Sequence, residues 1–291
     1  MIREHAVSVD GRTLAVLDAG AEGGPAIFAC HGTPGSALLW RGAVEDVESR
    51  GMRLISYDRP GYGGSDPDPG RNVAAAAGDI AAIADALGIE RFAVLGGSGG
   101  GPHALACGAL LSDRVVGVAC LAGVAPYTAE GLEWLEGMGQ GNLDEFGAAL
   151  RGRETLEPFL QGQADEILAA GPDELADALR SLLSPVDAAA LTGEFAEYLV
   201  AATHRAIGGS LEGWIDDDFA FVAPWGFELA DVRVGVQLCQ GGQDLMVPIA
   251  HGRWLADRIH AVEPVLSEED GHLTIQIGRI GEVHAWLLER F

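Results

Sequence analysis

Lysine is absent from this chain of 291 residues, so all 18 of its basic residues are arginine. A Schiff-base lysine and a phosphate-loop lysine are therefore excluded. Positive charge is scarce altogether: 43 Asp and Glu outnumber those 18 residues, for a formal net charge of −25. Such a chain repels a polyanion at long range, so nucleic acid is not an expected partner. The acidity reads as a solvated, self-repelling surface. Long apolar runs are missing too. None approaches the roughly 20 residues of a membrane helix, so no membrane partner is expected. The opening Met1-Ile2-Arg3-Glu4-His5 runs into alternating residues instead of a signal-type apolar stretch, and the expected location is the cytoplasm. Cysteine is sparse. Cys30, Cys107, Cys120 and Cys239 form no C-x-x-C pair, and no H-E-x-x-H occurs. Buried free thiols are expected, with no disulfide and no metal.

Apolar residues are plentiful at 48%, with only 21% charged, which supplies a sizeable core and excludes wholesale disorder. Residues 7–9 and 14–17 read as a hairpin around Asp10-Gly11. Short β-type runs at 26–30, 54–57, 92–95 and 115–121 then alternate with helical spacing at 73–87 and 102–111. That alternation predicts parallel βαβ units. From 126 to 225 the β-type runs vanish, and 156–168, 172–183 and 195–207 carry helical spacing. The β pattern resumes at 234–239 and 262–266, with helices at 253–259 and 280–288. The reading is an α/β fold, a mostly parallel central sheet flanked by helices. Residues 1–125 and 226–291 form the core, and 126–225 form an inserted helical unit.

Gly96-Gly97-Ser98-Gly99-Gly100 fits G-x-S-x-G and lies directly between a strand and a helix. In that setting a serine occupies a sharp, strained turn above the C-terminal edge of the sheet, and flanking glycines relieve crowding. A plain glycine-rich loop remains the alternative. A phosphate cradle does not fit, because the G-x-G-x-x-G spacing fails at Pro102.

Further stretches carry a resemblance in chain order: His31-Gly32-Thr33-Pro34-Gly35, Asp58-Arg59-Pro60-Gly61-Tyr62-Gly63-Gly64-Ser65, Gly241-Gly242-Gln243-Asp244 and Gly271-His272. With Ser98 they make the chain resemble the α/β-hydrolase superfamily, nearest its proline-iminopeptidase-like and small-esterase branch. The resemblance implies the α/β-hydrolase fold, places 126–225 as a helical cap, and makes 31–35 the oxyanion loop. Thr33 and Gly99 depart from the iminopeptidase pattern, which has H-G-G-P-G and a bulky residue after the serine. Epoxide hydrolases and haloalkane dehalogenases share the H-G-x-P loop but use an aspartate nucleophile, which Ser98 does not match.

A serine hydroxyl needs a base within hydrogen-bond reach, and the base needs an orienting acid. Of the eight histidines, His103, His251, His260 and His284 fall on or at helices, His5 on the first strand and His204 in the insertion. His31 belongs to the oxyanion loop, where with Gly32 it would support the backbone. His272, in a polar loop after the last strand, is left as general base. Asp244 is the expected acid, and Asp270 reads as solvated loop charge. The order Ser98, Asp244, His272 is the one this fold requires. Backbone N–H groups of Thr33 and Gly99 are the candidate oxyanion donors. The 58–65 loop reads as a structural turn. Trp134, Trp214, Phe219 and Trp225 either line a substrate pocket or simply pack the cap. Asp216-Asp217-Asp218 reads as a solvated acidic turn, with receipt of a substrate amine, by resemblance to iminopeptidases, as the other reading.

The expected activity is cofactor-independent cleavage of a carboxylic ester, or alternatively an amide, through an acyl-enzyme. Rival readings are an iminopeptidase-like aminopeptidase and a non-catalytic ligand receptor on the same fold. The expected partner is a small-molecule substrate, and a homo-oligomer is compatible with the sequence.

Overall fold

The computed structural model describes residues 1–291. Eight strands form one sheet: β1 (Arg3–Val9), β2 (Arg12–Gly20), β3 (Ala26–Cys30), β4 (Arg53–Tyr57), β5 (Phe92–Gly97), β6 (Val115–Leu121), β7 (Val236–Gly241) and β8 (Val262–Ser267). Their order is β1-β2-β4-β3-β5-β6-β7-β8. β2 runs antiparallel to both β1 and β4, and every other pairing is parallel. The helices are α1 (Arg41–Ser49), α2 (Ala75–Ala86), α3 (Gly100–Leu110), α4 (Gln140–Arg151), α5 (Arg153–Ala169), α6 (Leu175–Ala178), α7 (Pro185–Ala190), α8 (Gly193–Ile207), α9 (Glu212–Val222), α10 (Ile249–Ala256) and α11 (His272–Leu288).

Alternation along the strands sorts the core into two layers. Phe28, Ile55, Val94, Val118 and Leu238 face one way and pack with α2 and α3. Their neighbours Ile27, Leu54, Ala93, Ala119 and Cys239 face the other way and pack with α1 and α11. Both faces of the sheet are covered, which is why the central strands read as continuous apolar runs. A third apolar cluster lies within the helices α4–α9 between β6 and β7. All four cysteines are free and buried, and burial pushes the Cys30, Cys120 and Cys239 thiols up to about 12. No helix is long and apolar enough to cross a membrane.

Three local expectations change. The helical spacing at 172–183 gives only the four-residue α6, because the segment runs as linked three-residue turns such as Glu174 N–H to the Gly171 carbonyl and Leu182 N–H to the Leu179 carbonyl. Helix α1 has no clear sequence signal, since only Ala43 and Val47 are buried on it. Helix α11 begins at His272, eight positions before the apolar spacing at 280, so the histidine heads a helix instead of sitting in a loop.

Candidate functional site

The C-terminal ends of the parallel strands bring the distant segments together. Ser98 follows β5 at φ +53°, in the left-handed region where a non-glycine residue is strained. Its N–H donates to the Leu121 carbonyl at 2.8 Å, and its own carbonyl accepts from Gly101 N–H at 2.9 Å. The flanking glycines are required sterically. A Cβ on Gly96 would lie 2.2 Å from the Gly100 oxygen, and one on Gly100 would lie 2.1 Å from the Cys30 oxygen. The turn therefore holds the hydroxyl up against the 31–35 loop, where a Cβ on Gly32 would stand 3.5 Å from Ser98 Cβ.

His272 is buried beside the same cavity. Its Nδ1 lies 2.8 Å from Asp244 Oδ2. Asp244 also accepts from Gln240 Nε2 at 3.0 Å and from the Met246 and Val247 amides at 2.8 Å each. These bonds fix the carboxylate, and the carboxylate in turn fixes the ring so that Nδ1 carries the proton and Nε2 is free to accept one. Burial pulls the His272 pKa down, but the charge of Asp244 and its hydrogen bond outweigh this. With a smaller push from Asp187 they leave the imidazole above its ordinary value. Asp270 does not approach His272 and instead faces Arg279 at 4.0 Å. Ser98 and His272 border one cavity, and no hydrogen bond joins them directly.

Asp187 is a buried neighbour of His272 that sequence reading did not single out. From α7 it accepts the His272 and Leu273 amides at 2.8 Å and the Thr274 amide at 3.1 Å. The first three N–H groups of α11, which have no partner inside the helix, thus end on one carboxylate. Ser184 Oγ donates to Asp187 Oδ2 at 2.8 Å and holds it in place.

The 31–35 loop is gripped from below. Arg59 N–H donates to His31 Nε2 at 3.1 Å, which leaves Nδ1 to donate to the Gly32 carbonyl at 2.7 Å. Arg59 Nη1 donates to the His31 carbonyl, and Nη2 donates to the Gly32 carbonyl and to Thr33 Oγ1 at 3.0 Å each. Thr33 Oγ1 donates to Asp217 Oδ2 at 2.6 Å. Asp217 also receives Arg59 Nη2 at 2.5 Å and Tyr62 OH at 2.9 Å, and pairs with Arg71 at 2.6 Å. Burial pushes the Asp217 carboxyl up, but Arg59 and Arg71 outweigh it and hold the group well below its usual range. The 58–65 turn, expected to be merely structural, thereby supplies the arginine that braces this loop. His103 stays neutral, pushed down to about 3 by burial and then by Arg59, with its Nδ1 at 2.8 Å from the Gly99 carbonyl. The Thr33 and Gly99 amides donate to no protein acceptor. The two departures from the iminopeptidase pattern are steric counterparts: a Cβ on Gly99 would lie 2.4 Å from Thr33 Oγ1.

The cavity above Ser98 has a volume of about 360 Å³ and is walled mainly by apolar residues. Trp214 lines it, along with Trp40, Phe146, Phe195, Tyr198 and Phe221. Trp134, Phe219 and Trp225 do not, which corrects their reading as pocket residues. Trp134 is buried with its Nε1 on the Ala125 carbonyl and its ring against Phe146 and His251. Trp225 stacks on Phe227 in the core, and Phe219 packs within the helical cluster. Packing thus accounts for all three. Asp216, Asp217 and Asp218 are buried on α9, not a solvated turn.

Asp218 and Glu145 border the cavity side by side, and Trp214 Nε1 donates to Glu145 Oε1 at 2.8 Å. Burial raises both carboxyl pKa values, and the negative charges of Glu145 and Asp217 raise that of Asp218 further. The unfolded chain loses these protons near pH 4, whereas the folded chain keeps one longer. Stability conferred by this pair therefore falls as pH rises from about 4 through the raised values. Asp218→Asn should flatten that decline, so its melting temperature should gain more at pH 8 than at pH 5. A gain of about 1 kcal/mol reads as about 1.5 °C, and an equal change at both pH values in calorimetry would refute the raised carboxyl pKa values.

Comparison with known proteins bears on the fold family. The α/β-hydrolase fold family model matches residues 25–276. The chain is 28% identical over 225 residues to an epoxide hydrolase of Caballeronia sordidicola, an alignment covering 75% of this chain and 64% of that one. It is 32% identical over 143 residues to a non-heme chloroperoxidase of Streptomyces lividans, covering 48% and 52%. The chain thus spans under two thirds of the length of these curated relatives. Among solved structures, a thermophilic esterase from Thermogutta terrifontis superposes with a TM-score of 0.70 at 20% identity, over 99% of both chains. The enol-lactonase from Burkholderia xenovorans LB400 superposes at 0.67 and 20%, over 98% and 99%. At such identity the superpositions speak for the fold alone. With the sheet order, the strained Ser98 turn and a family match across most of the sequence, the chain belongs to the α/β-hydrolase fold family.

Proposed function

We propose that the protein is a serine hydrolase that cleaves a carboxylic ester of a small or medium, largely apolar and uncharged substrate. The observation that carries this reading is the 2.8 Å contact of His272 with Asp244, His272 bordering the same cavity as the strained Ser98. Ser98 Oγ attacks the carbonyl carbon while His272 Nε2 takes its proton. The oxygen of the tetrahedral intermediate falls to the free Thr33 and Gly99 amides. His272 then returns the proton to the departing alcohol. Water attacks the acyl-enzyme by the same route and frees Ser98. Ser98 stands where the epoxide-hydrolase reading, drawn from the first relative above, would need an aspartate.

The cavity wall contains no arginine, and its carboxyl groups are Glu145 and Asp218. An acyl chain ending in a carboxylate would find no cation there and would have to leave its water for a largely apolar space. In a panel of p-nitrophenyl esters, butyrate and hexanoate should be turned over with kcat/KM about tenfold or more above the monosuccinate, equivalent to about 1.4 kcal/mol of discrimination. Equal rates, or a preference for the charged ester, would sink the substrate class. The Glu145–Asp218 pair is the one observation that favours a second reading, an iminopeptidase-like substrate bearing an amine. A prolyl p-nitroanilide in the same panel separates the two.

A further inference from the structure

The helical segment between β6 and β7 reaches into both halves of the proposed machinery with buried carboxylates. Asp187 is fully buried and spends its two oxygens on the His272, Leu273 and Thr274 amides and on Ser184 Oγ. A Cβ on Gly271 would lie 2.2 Å from Asp187 Oδ2, so the chain before His272 closes directly onto this carboxylate. Asp217, also fully buried, holds Thr33 Oγ1 and Arg59, and Arg59 holds the His31 and Gly32 carbonyls. The loop that carries one oxyanion donor and the helix end that carries the base are thus each fastened to the inserted helices rather than only to the sheet. Displacing a catalytic group by about 1 Å can cost about 100-fold in rate.

We propose that the inserted helices set the active site in register: Asp187 is a positioning residue for His272, and Asp217, acting through Thr33 and Arg59, is a positioning residue for the Thr33 amide. This rests on the serine-hydrolase reading. It goes beyond that reading by making correct seating of the inserted helices a condition for chemistry, and not only for substrate enclosure. Neither aspartate borders on substrate. Both act through backbone that they hold.

The two arms leave different signatures. Asp187 adds negative charge close to His272 as well as holding its amide. Asp187→Asn should therefore lower kcat about tenfold and move the low-pH limb of the kcat/KM profile to lower pH. Ser184→Ala, which removes only the support of Asp187, should act in the same direction and less. Thr33→Val keeps the side-chain shape but removes the hydroxyl that joins the loop to Asp217. It should lower kcat about 10- to 100-fold, with KM within about threefold and the pH profile unmoved. Asp217→Asn should match it. If that change unfolds the chain by leaving Arg59 and Arg71 short of their counter-ion, Thr33→Val still reports on the contact.

The common readout is the rate of phosphonylation of Ser98 by a fluorophosphonate probe, followed by mass spectrometry, alongside ester kinetics on the intact chain. A labelled wild type with slowed labelling in Asp187→Asn and Thr33→Val supports the inference. Wild-type kcat and an unmoved pH limb in the folded Asp187→Asn variant, or in Ser184→Ala where the Asn variant does not fold, overturn the first arm. Wild-type kcat in Thr33→Val overturns the second. If the wild-type protein is not labelled at Ser98, the serine reading fails and this inference fails with it.

Discussion

Replacing Ser98 by alanine should lower ester turnover by about 10⁶-fold while leaving the fold unchanged. The size of the loss comes from the chemistry. On the proposed mechanism no acyl-enzyme can form without Oγ, and the remaining activity would be the modest acceleration that the Thr33 and Gly99 amides and the cavity give to direct attack by water. The intact fold comes from the contacts. Ser98 Oγ makes no hydrogen bond, so its removal strands no partner. The residue also keeps its Cβ at φ +53°, so an alanine there adds no new strain. The melting temperature should stay within about 2 °C of wild type, fluorophosphonate labelling should vanish, and p-nitrophenyl butyrate hydrolysis should fall to the background of the buffer. Retention of more than a few per cent of activity would assign the chemistry to another group. The cavity borders no cysteine but the buried Cys30, whose thiol is pushed up to about 12 by burial, so no reactive thiolate is at hand to replace the serine.

Much of this candidate site was legible in the sequence because its residues stand beside glycines and at the ends of apolar strands. Ser98, Asp244 and His272 each come after a β-type run, and parallel strands deliver the loops at their C-terminal ends to one edge of the sheet. The residues that hold those groups carry no such local mark. Arg59 lies in a turn whose glycines and proline account for its sequence by themselves. Asp217 sits in an acidic triplet that resembles a solvated turn. Its burial makes sense only once Arg71 and Arg59, the latter 158 residues away, arrive beside it. Asp187 is 85 residues from the amide it caps. In each case the signal is a tertiary contact between charged or polar groups, to which hydrophobic periodicity is blind. The aromatic residues of the helical segment show the converse limit. Trp214 lines the cavity while Trp134 and Trp225 pack away from it, and composition cannot distinguish a ring that faces a void from one that faces another ring. The short α1 escaped for a simpler reason, since it buries only Ala43 and Val47, too few to impose a period.

Asp244→Asn should lower kcat by about 10⁴-fold, with the loss centred on the protonation state of His272. The carboxylate accepts from Nδ1 at 2.8 Å and so fixes the tautomer that leaves Nε2 able to take the Ser98 proton. An asparagine can turn its NH₂ toward the ring, which stabilises the opposite tautomer and puts a proton on the nitrogen that must accept one. The pH dependence provides a second reading of the same contact. In the wild type, the rate should rise with pH through an apparent value above the ordinary 6.5 of histidine, because Asp244 favours the charged ring more strongly than burial disfavours it. With the charge of Asp244 removed, burial dominates and the limb should move to lower pH. Stability must obey the same linkage. A histidine whose pKa is raised on folding contributes stability that is fully present below about pH 6.5 and is lost as pH rises through the folded value. Asp244→Asn should therefore cost more stability at pH 5.5 than at pH 9. Urea titrations at the two pH values measure that difference directly. A larger loss at pH 9, or a pH–rate limb that stays in place, would mean that some other group governs the charge on His272.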